Sequence, residues 1–141
     1  MNVIHSLIKW YKKVKKKFKL LHTEFTVVGE TLGGTIDCII EDWDDPDKVI
    51  FVDWKSSGFY LTQFLQLIGY VLIYEEVYGK NKVGGVMVVA ADKKHGNRAQ
   101  AKLLRRKDMK LYFHMFRALF EMAYYEKVVE GCFMDHLEDI G

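Results

Sequence analysis

The sequence predicts an α/β fold in which a mixed central β-sheet is flanked by helices. Three segments carry apolar residues at the 3.6-residue spacing of a helix, and five shorter runs are rich in strand-forming residues. Together they give the order α-β-β-β-α-β-β-α. Because half of the 141 residues are apolar, the chain is long enough to form one core. We therefore expect a single domain over residues 1–141.

The boundaries of the predicted elements come from periodicity and from turn residues. The first helix follows an apolar stripe from Ile4 to Leu21. An acidic turn that holds the only proline, Pro46, separates the second and third strands. The second helix stops at Gly79 and the last at Gly131, since glycine is favoured at helix ends. The predicted helices lie at residues 3–21, 60–78 and 108–130. The predicted strands lie at residues 24–29, 34–40, 48–55, 83–91 and 99–106.

Cysteine content, hydropathy and charge exclude several classes of protein. Cys38 and Cys132 are too few for a disulfide scaffold or a structural zinc site, so we expect reduced thiols in a cytoplasmic protein. Lysines interrupt the apolar residues near the N-terminus, which argues against a signal peptide, a membrane span or a membrane partner. The net charge is only +2, but basic residues crowd positions 9–19 and 93–110, which suits an anionic partner.

An aspartate and a lysine end the third predicted strand. Residues two apart share a face of a strand, so Asp53 and Lys55 point the same way while Trp54 lies on the opposite, apolar face. A second carboxylate, Asp37, lies among apolar residues of the preceding strand, where sheet propensity alone would not place it. If these strands form a hairpin around the acidic turn, Asp37 and Asp53 converge.

Two carboxylates beside one ammonium group suit the hydrolysis of phosphodiesters. Oxygen atoms of both acids can hold a hard cation such as Mg²⁺, which neutralises phosphate charge and lowers the pKa of a bound water. Lys55 then remains free to orient that water or to stabilise developing negative charge. The alternative is a buried ion pair between Asp53 and Lys55 with a second acid nearby, which an Asp-x-Lys motif by itself does not exclude.

The next predicted helix carries polar residues along one line. Gln63, Gln66 and Tyr70 are spaced at i, i+3 and i+7, directly after the charged strand end. Buried polar groups need partners, and a catalytic lysine, a phosphate or a base could supply them. The alternative is a polar helix edge that faces water, which fits Gln63 better than the other two residues.

These residues resemble the RecB-type exonuclease family of the PD-(D/E)XK nuclease superfamily. That family has a Glu at the start of its first strand, G-x-x-D on the second, D-x-K-(T/S) on the third and Q-x-x-x-Y on the following helix. The matching segments here are Glu24, "GTID", "DWKSS" and "QLIGY", in the same order. The resemblance covers roughly residues 24–126 and is greatest for mitochondrial genome maintenance exonuclease and small phage-encoded members.

The resemblance implies a role for each matched residue. Lys55 would be the catalytic lysine, and Gln66 and Tyr70 would support it or contact DNA. The implied ligands of Mg²⁺ or Mn²⁺ are Asp37, Asp53 and the backbone carbonyl of Trp54. Glu24 would be a further catalytic residue, although an exposed acid at a strand start is the alternative. His5 matches a metal-binding histidine that many members carry before the first strand, and its alternative is a surface imidazole near a frayed terminus.

The resemblance also implies an activity and its limits. We expect a deoxyribonuclease that acts as an exonuclease on single-stranded or frayed DNA ends, in DNA repair or recombination. The four cysteines that hold an iron–sulfur cluster in some relatives are missing, and no phosphate-binding loop for ATP is present. A helicase or recombination protein would therefore be a separate partner. The alternatives are a non-catalytic nucleic-acid-binding module with the same fold and a structure-specific endonuclease.

Basic residues of the first predicted helix offer a path for DNA. Lys9, Lys12 and Lys16 continue on one side of this helix from His5, so they can form a basic ridge next to the metal. Trp10 could add base stacking, and the alternative is a solvated lysine-rich face. If the ridge only faces water, the expected DNA contacts lie later in the chain. They are Lys93, Lys94, Arg98, Arg105 and Arg106.

Overall fold

A mixed five-stranded sheet forms the centre of the described part of the chain. The structure, a computed structural model, describes residues 3–14, 18–30, 32–56, 58–92 and 98–141, without the side chains of residues 3–7, 14 and 92. The strands are β1 Leu20–Val28, β2 Gly33–Glu41, β3 Val49–Lys55, β4 Val83–Asp92 and β5 Arg98–Arg105. The helices are α1 Val3–Val14, α2 Leu61–Tyr78, α3 Lys110–Glu130 and the short α4 Phe133–His136. The predicted α/β class and the predicted order of the main elements are confirmed.

The sheet is mixed because one of its four pairings is parallel. The strands lie side by side in chain order, and β3 pairs with β4 in parallel while the other neighbours are antiparallel. A parallel pair needs a crossover connection, and α2 provides it. The carboxyl ends of β3 and β4 therefore lie side by side at one end of the sheet, where α2 begins. Among the described helices, none is long and apolar enough to cross a membrane.

Two apolar clusters cover the two faces of the sheet. Phe51 of β3 packs on one face against Leu67 of α2 and Phe116 of α3. Val52 packs on the other face, in a cluster that includes Trp10 of α1. Successive residues of a strand alternate between faces, so β3 contributes to both clusters. By the same alternation, Asp53 and Lys55 lie on the face that carries α2.

The first predicted helix is too long. Residues 3–21 were expected to be helical, but α1 ends at Val14, and Leu20 and Leu21 belong to β1. Leu20 pairs with Ile40 of β2, and this long-range pairing overrides the local periodicity that extended the stripe.

Candidate active site

The two predicted carboxylates lie where β2 and β3 separate. Among the described residues, the register between these strands ends with Cys38 paired to Val52, so Asp37 and Asp53 are the next residues along and face one another. β3 continues beside β4 as far as Lys55. The two carboxyl groups are close enough to share a hydrogen bond. The predicted hairpin and the convergence of the two acids are therefore confirmed.

Asp53 is the buried member of this pair. Only 13% of its side chain is exposed, and Lys55 Nζ lies 3.1 Å from its Oδ2 atom. Within the described part of the chain, this buried oxygen nevertheless accepts no well-aligned hydrogen bond. The ammonium group thus attracts Oδ2 by charge without forming a well-aligned hydrogen bond to it. A buried oxygen in this state is what an ion or a water would be expected to satisfy.

The surroundings of Asp53 raise the pKa of its carboxyl group from the ordinary 3.8 to about 6. Burial is the largest cause, because it disfavours the charged form. The hydrogen bond with the Asp37 carboxyl group raises the pKa further, and the Lys55 ammonium opposes the shift. The pair of acids therefore resists carrying two full negative charges unless a further positive charge joins it.

Trp54 connects these acids with the opposite face of the sheet. Its backbone N–H donates a hydrogen bond of 2.9 Å to Asp37 Oδ2, which orients that carboxyl group across the opening between β2 and β3. Its indole packs edge-on against Trp10 of α1, with ring centroids 5.7 Å apart, and against Tyr11 at 6.5 Å. Trp10 thus belongs to the apolar cluster beneath α1. The suggestion that Trp10 stacks on bases is not supported.

Gln66 and Tyr70 form a linked pair on α2 that reaches β2. Gln66 Nε2 donates a hydrogen bond of 3.1 Å to the Tyr70 hydroxyl oxygen. The Tyr70 ring lies against Gly34, where an added Cβ would be 2.7 Å from that hydroxyl. A side chain at Gly34 would collide with the ring, so the glycine of "GTID" makes room for the tyrosine of "QLIGY". The two sequence motifs are thus in direct contact, three residues before Asp37.

Gln63 has a structural task. It is buried, and its Oε1 accepts a hydrogen bond of 2.9 Å from the backbone N–H of Tyr60. Its Nε2 donates to the backbone carbonyl of Gly58 at 3.3 Å. Gln63 therefore fixes the segment that connects β3 with α2. The suggestion that it faces water is wrong.

Glu24 of β1 lies opposite Asp37 of β2, because the residues before and after Glu24 pair with the residues after and before Asp37. It is exposed, and its backbone φ of 47° lies in the left-handed region that residues other than glycine rarely adopt. Among the described residues, no contact joins its carboxylate to Asp37 or Asp53. A catalytic role for Glu24 stays a prediction.

The described part of the predicted basic ridge lies on the other side of the sheet. α1 packs against the face opposite the Asp53 and Lys55 side chains, and its residues Lys9 and Lys12 are exposed. Lys16 and the side chain of His5 lie outside the described residues. The structure therefore does not bring the described part of the ridge to the acids, and the role of His5 as a ligand stays a prediction.

Two of the later basic residues are already paired with acids. Arg105 Nη1 donates to both carboxyl oxygens of buried Asp42 at 3.0 Å, and its Nη2 donates to Asp44 at 2.7 Å. Arg106 donates to Glu75 through both terminal nitrogens, at 2.6 and 2.9 Å. Both arginines lie at the end of the sheet away from Asp53. The structure therefore does not bring Arg105 and Arg106 to the site as DNA contacts.

The remaining predicted DNA contacts divide into two groups. Lys93 and Lys94 lie outside the described residues. Arg98 begins β5 and is exposed at the edge of the sheet nearest Lys55. Sequence reasoning missed Lys102 on the same strand, whose Nζ lies 4.6 Å from the centre of the Phe59 ring. The alternation of polar and small residues in "RAQAK" is the signal that could have indicated it.

The donor atoms at the opening between β2 and β3 fit a divalent cation. Carboxylate and backbone carbonyl oxygens are the ligands that Mg²⁺ and Mn²⁺ prefer, and Asp37, Asp53 and the Trp54 carbonyl supply them. A cation would also satisfy the buried Oδ2 of Asp53. Among the described residues, no group of three or more His, Cys, Asp or Glu could hold a metal. Further ligands would come from water, from substrate or from a side chain such as His5.

The mixed sheet, its flanking helices and the charged group at the carboxyl end of β3 define a restriction-endonuclease-like α/β domain. The family model of the PD-(D/E)XK nuclease superfamily matches residues 2–135, and the chain belongs to this superfamily. Among solved structures, the chain is similar to an alkaline exonuclease (LHK-Exo) from Laribacter hongkongensis, with 10% sequence identity and a TM-score of 0.38. This similarity covers 92% of the present chain and 70% of the other. No curated protein matches the chain in sequence.

Proposed function

We propose that the chain is a Mg²⁺- or Mn²⁺-dependent deoxyribonuclease of the RecB type, acting as an exonuclease on single-stranded or frayed DNA ends. One observation carries the proposal: two carboxyl groups meet where β2 and β3 separate, with the Lys55 ammonium 3.1 Å from the buried one. Membership of the nuclease superfamily supports the same chemistry.

The acids and the Trp54 carbonyl would hold the cation. When bound, the cation supplies neutralisation of phosphate charge and a lowered pKa of an attacking water. The task of the chain is to keep both carboxyl groups ionised and aimed at one point. The hydrogen bond from the Trp54 N–H to Asp37 Oδ2 serves this task, since it fixes the orientation of that carboxyl group.

Lys55 is the group that acts on the phosphate. Its side chain is 35% exposed, so the ammonium can contact a substrate while it stays close to Asp53. It would orient the attacking water and stabilise negative charge on the phosphate oxygens as the water oxygen bonds to phosphorus. The bond from phosphorus to the leaving oxygen breaks in the same displacement. The attacking water gives up a proton to solvent, and the leaving oxygen takes up a proton from solvent.

The surrounding residues would support these three. The linked pair of Gln66 and Tyr70 lies on the same face as Lys55 and would position it or contact the DNA backbone. Glu24 and His5 remain candidates for a further catalytic residue and a further metal ligand.

Two alternatives remain as outcomes of a test. A non-catalytic binding module with the same fold would have been free to lose one of Asp37, Asp53 and Lys55, and the complete set argues against it. A structure-specific endonuclease shares the chemistry and differs in how DNA enters the site. The preference for free DNA ends rests on the resemblance to RecB-type exonucleases.

End-labelled linear and closed circular single-stranded DNA distinguish these possibilities. The protein should degrade the linear strand with Mg²⁺ or Mn²⁺ and leave the circle intact. In EDTA it should degrade neither substrate. Cleavage of the circle would indicate an endonuclease. Binding without cleavage under all metal conditions would indicate the non-catalytic module. A labelled RNA of the same sequence, in parallel, determines whether DNA is preferred.

A further inference from the structure

Alternate polar residues of β5 share one face of this edge strand. Arg98, Gln100 and Lys102 are two residues apart, so their side chains project to the same side of the sheet. Ala99 and Leu103 project to the other side and pack in the apolar cluster that includes residues of α1. The polar row therefore lies on the face that carries α2 and the two catalytic candidates of β3.

The strand register aligns this row with those candidates. Val88 of β4 pairs with both Asp53 and Lys102. The residue of β4 that pairs with Lys55 also pairs with Gln100. Neighbouring strands are about 4.8 Å apart, so β5 runs roughly 10 Å from β3. The row thus runs beside the charged strand end and continues past it.

Among the described residues, the two cations of the row have no acidic partner. Arg98 and Lys102 are exposed, and neither forms an ion pair within the part of the chain that the structure describes. Arg105, further along the same strand, is held by two aspartates. Among the described residues of β5, positive charge without an acidic partner therefore lies at the end of the strand beside Lys55.

Phe59 fixes where one of these charges lies. Its ring is partly buried in the cluster beneath α2, and Lys102 Nζ lies 4.6 Å from the ring centre. An ammonium group over an aromatic face is attracted to it. Phe59 belongs to the segment that connects β3 with α2, so this contact draws the Lys102 ammonium from the sheet edge towards the site.

We propose that Arg98, Gln100 and Lys102 bind the sugar–phosphate backbone of a single nucleic acid strand next to the phosphate that is cleaved. Alternate residues of a strand are about 6.7 Å apart, a spacing close to that of successive phosphates in an extended strand. Two cations and one amide donor on such a line follow a backbone without reading its sequence. The inference rests on the proposed nuclease function and adds to it the path of the substrate.

The competing explanation is protection of an edge strand. Charged residues on an exposed edge also prevent pairing with a second sheet, and that role needs no ligand. The two explanations differ in the salt dependence of DNA binding, because only direct phosphate contacts release counterions.

The test compares two double variants that lose the same charge. Arg98→Gln with Lys102→Gln removes both cations of the row, and Lys80→Gln with Lys107→Gln removes two exposed lysines at the opposite end of the sheet. Binding of a labelled oligothymidylate is followed by fluorescence anisotropy in Ca²⁺, across about 50 to 200 mM salt. Circular dichroism verifies that each variant is folded.

Each neutralised phosphate contributes about 0.7 to the slope of log affinity against log salt for a single strand. We expect the row variant to lose about 1.4 from this slope and the control variant to keep the wild-type slope. Lys102→Arg, which retains the charge, should also keep it. If the wild type binds and cleaves DNA but the row variant keeps the same slope, the row does not contact the phosphates. The nuclease proposal would still stand. Absence of both binding and cleavage in the wild type would overturn both proposals.

Discussion

Replacement of Asp53 by asparagine should stabilise the metal-free protein at neutral pH. The folded environment raises the pKa of this carboxyl group from 3.8 to about 6, so the folded state resists its ionisation. A shift of this size corresponds to at most about 3 kcal/mol, and partial solvent access reduces it to roughly 1–2 kcal/mol. The amide has a similar shape and carries no charge, so the variant avoids this cost.

The pH dependence follows from the direction of the shift. Between pH 3.8 and about 6, the folded protein binds more protons at Asp53 than the unfolded chain does, so its stability falls as pH rises through this window. Above this pH window the folded state bears the full free-energy cost of the ionised Asp53, and below the window it bears none. The stability difference between Asp53→Asn and the wild type should therefore be largest near neutral pH and disappear as the pH falls below 3.8.

Urea denaturation in EDTA at several pH values measures this difference. Added Mg²⁺ or Mn²⁺ should then reverse the order, because a ligand at about 100 times its Kd stabilises the wild type by about 2.7 kcal/mol and the variant has lost a ligand. Asp47→Asn, which removes the same charge from an exposed site, should show neither effect. If Asp53 serves instead in a structural ion pair with Lys55, the variant should lose about 3–5 kcal/mol in EDTA. That loss, with no response of the wild type to metal, would refute the reasoning.

Three further replacements test other parts of the site. Lys55→Ala should lower the rate of DNA cleavage by about 10²–10⁴-fold with little change in melting temperature, and a large fall in melting temperature with retained activity would contradict the catalytic assignment. Gly34→Ala should lower the free energy of unfolding by about 1–3 kcal/mol, because the new methyl group meets the Tyr70 ring; denaturation midpoints that match the wild type would show that the ring moves freely. His5→Ala should shift the metal preference of cleavage from Mn²⁺ towards Mg²⁺ if the imidazole is a ligand, and unchanged metal titration curves would place it at the surface.

The order of elements was predictable because its signals are local. Apolar periodicity distinguishes α2 from the runs before and after it, and Gly79 ends this helix with a φ of 113° that favours glycine. The charged end of β3 was predictable for the same reason, since alternation along one strand places Asp53 and Lys55 on one face. None of these inferences needed a contact between distant segments.

Local patterns are incomplete where a distant segment of the chain contacts a residue. Leu20 continues an apolar stripe, yet its pairing with β2 makes it part of a strand. Arg105 lies in a basic stretch of the sequence, yet Asp42, far away in the chain, neutralises it. In both cases the partner lies too far away in the sequence for the local pattern to indicate it.

The interpretation of Asp53 likewise depends on a residue from another strand. With Lys55 as its only known neighbour, an ion pair explained it as well as a metal site did, because both place one acid beside one base. The separation of β2 from β3 brings in Asp37 as a third charged group, and two acids with one ammonium carry an excess negative charge. The Lys55 ammonium lowers the pKa of Asp53, but burial, the largest cause, and the hydrogen bond with Asp37 together raise it by more. A further positive charge would offset these effects, which is why we propose a cation beside this group.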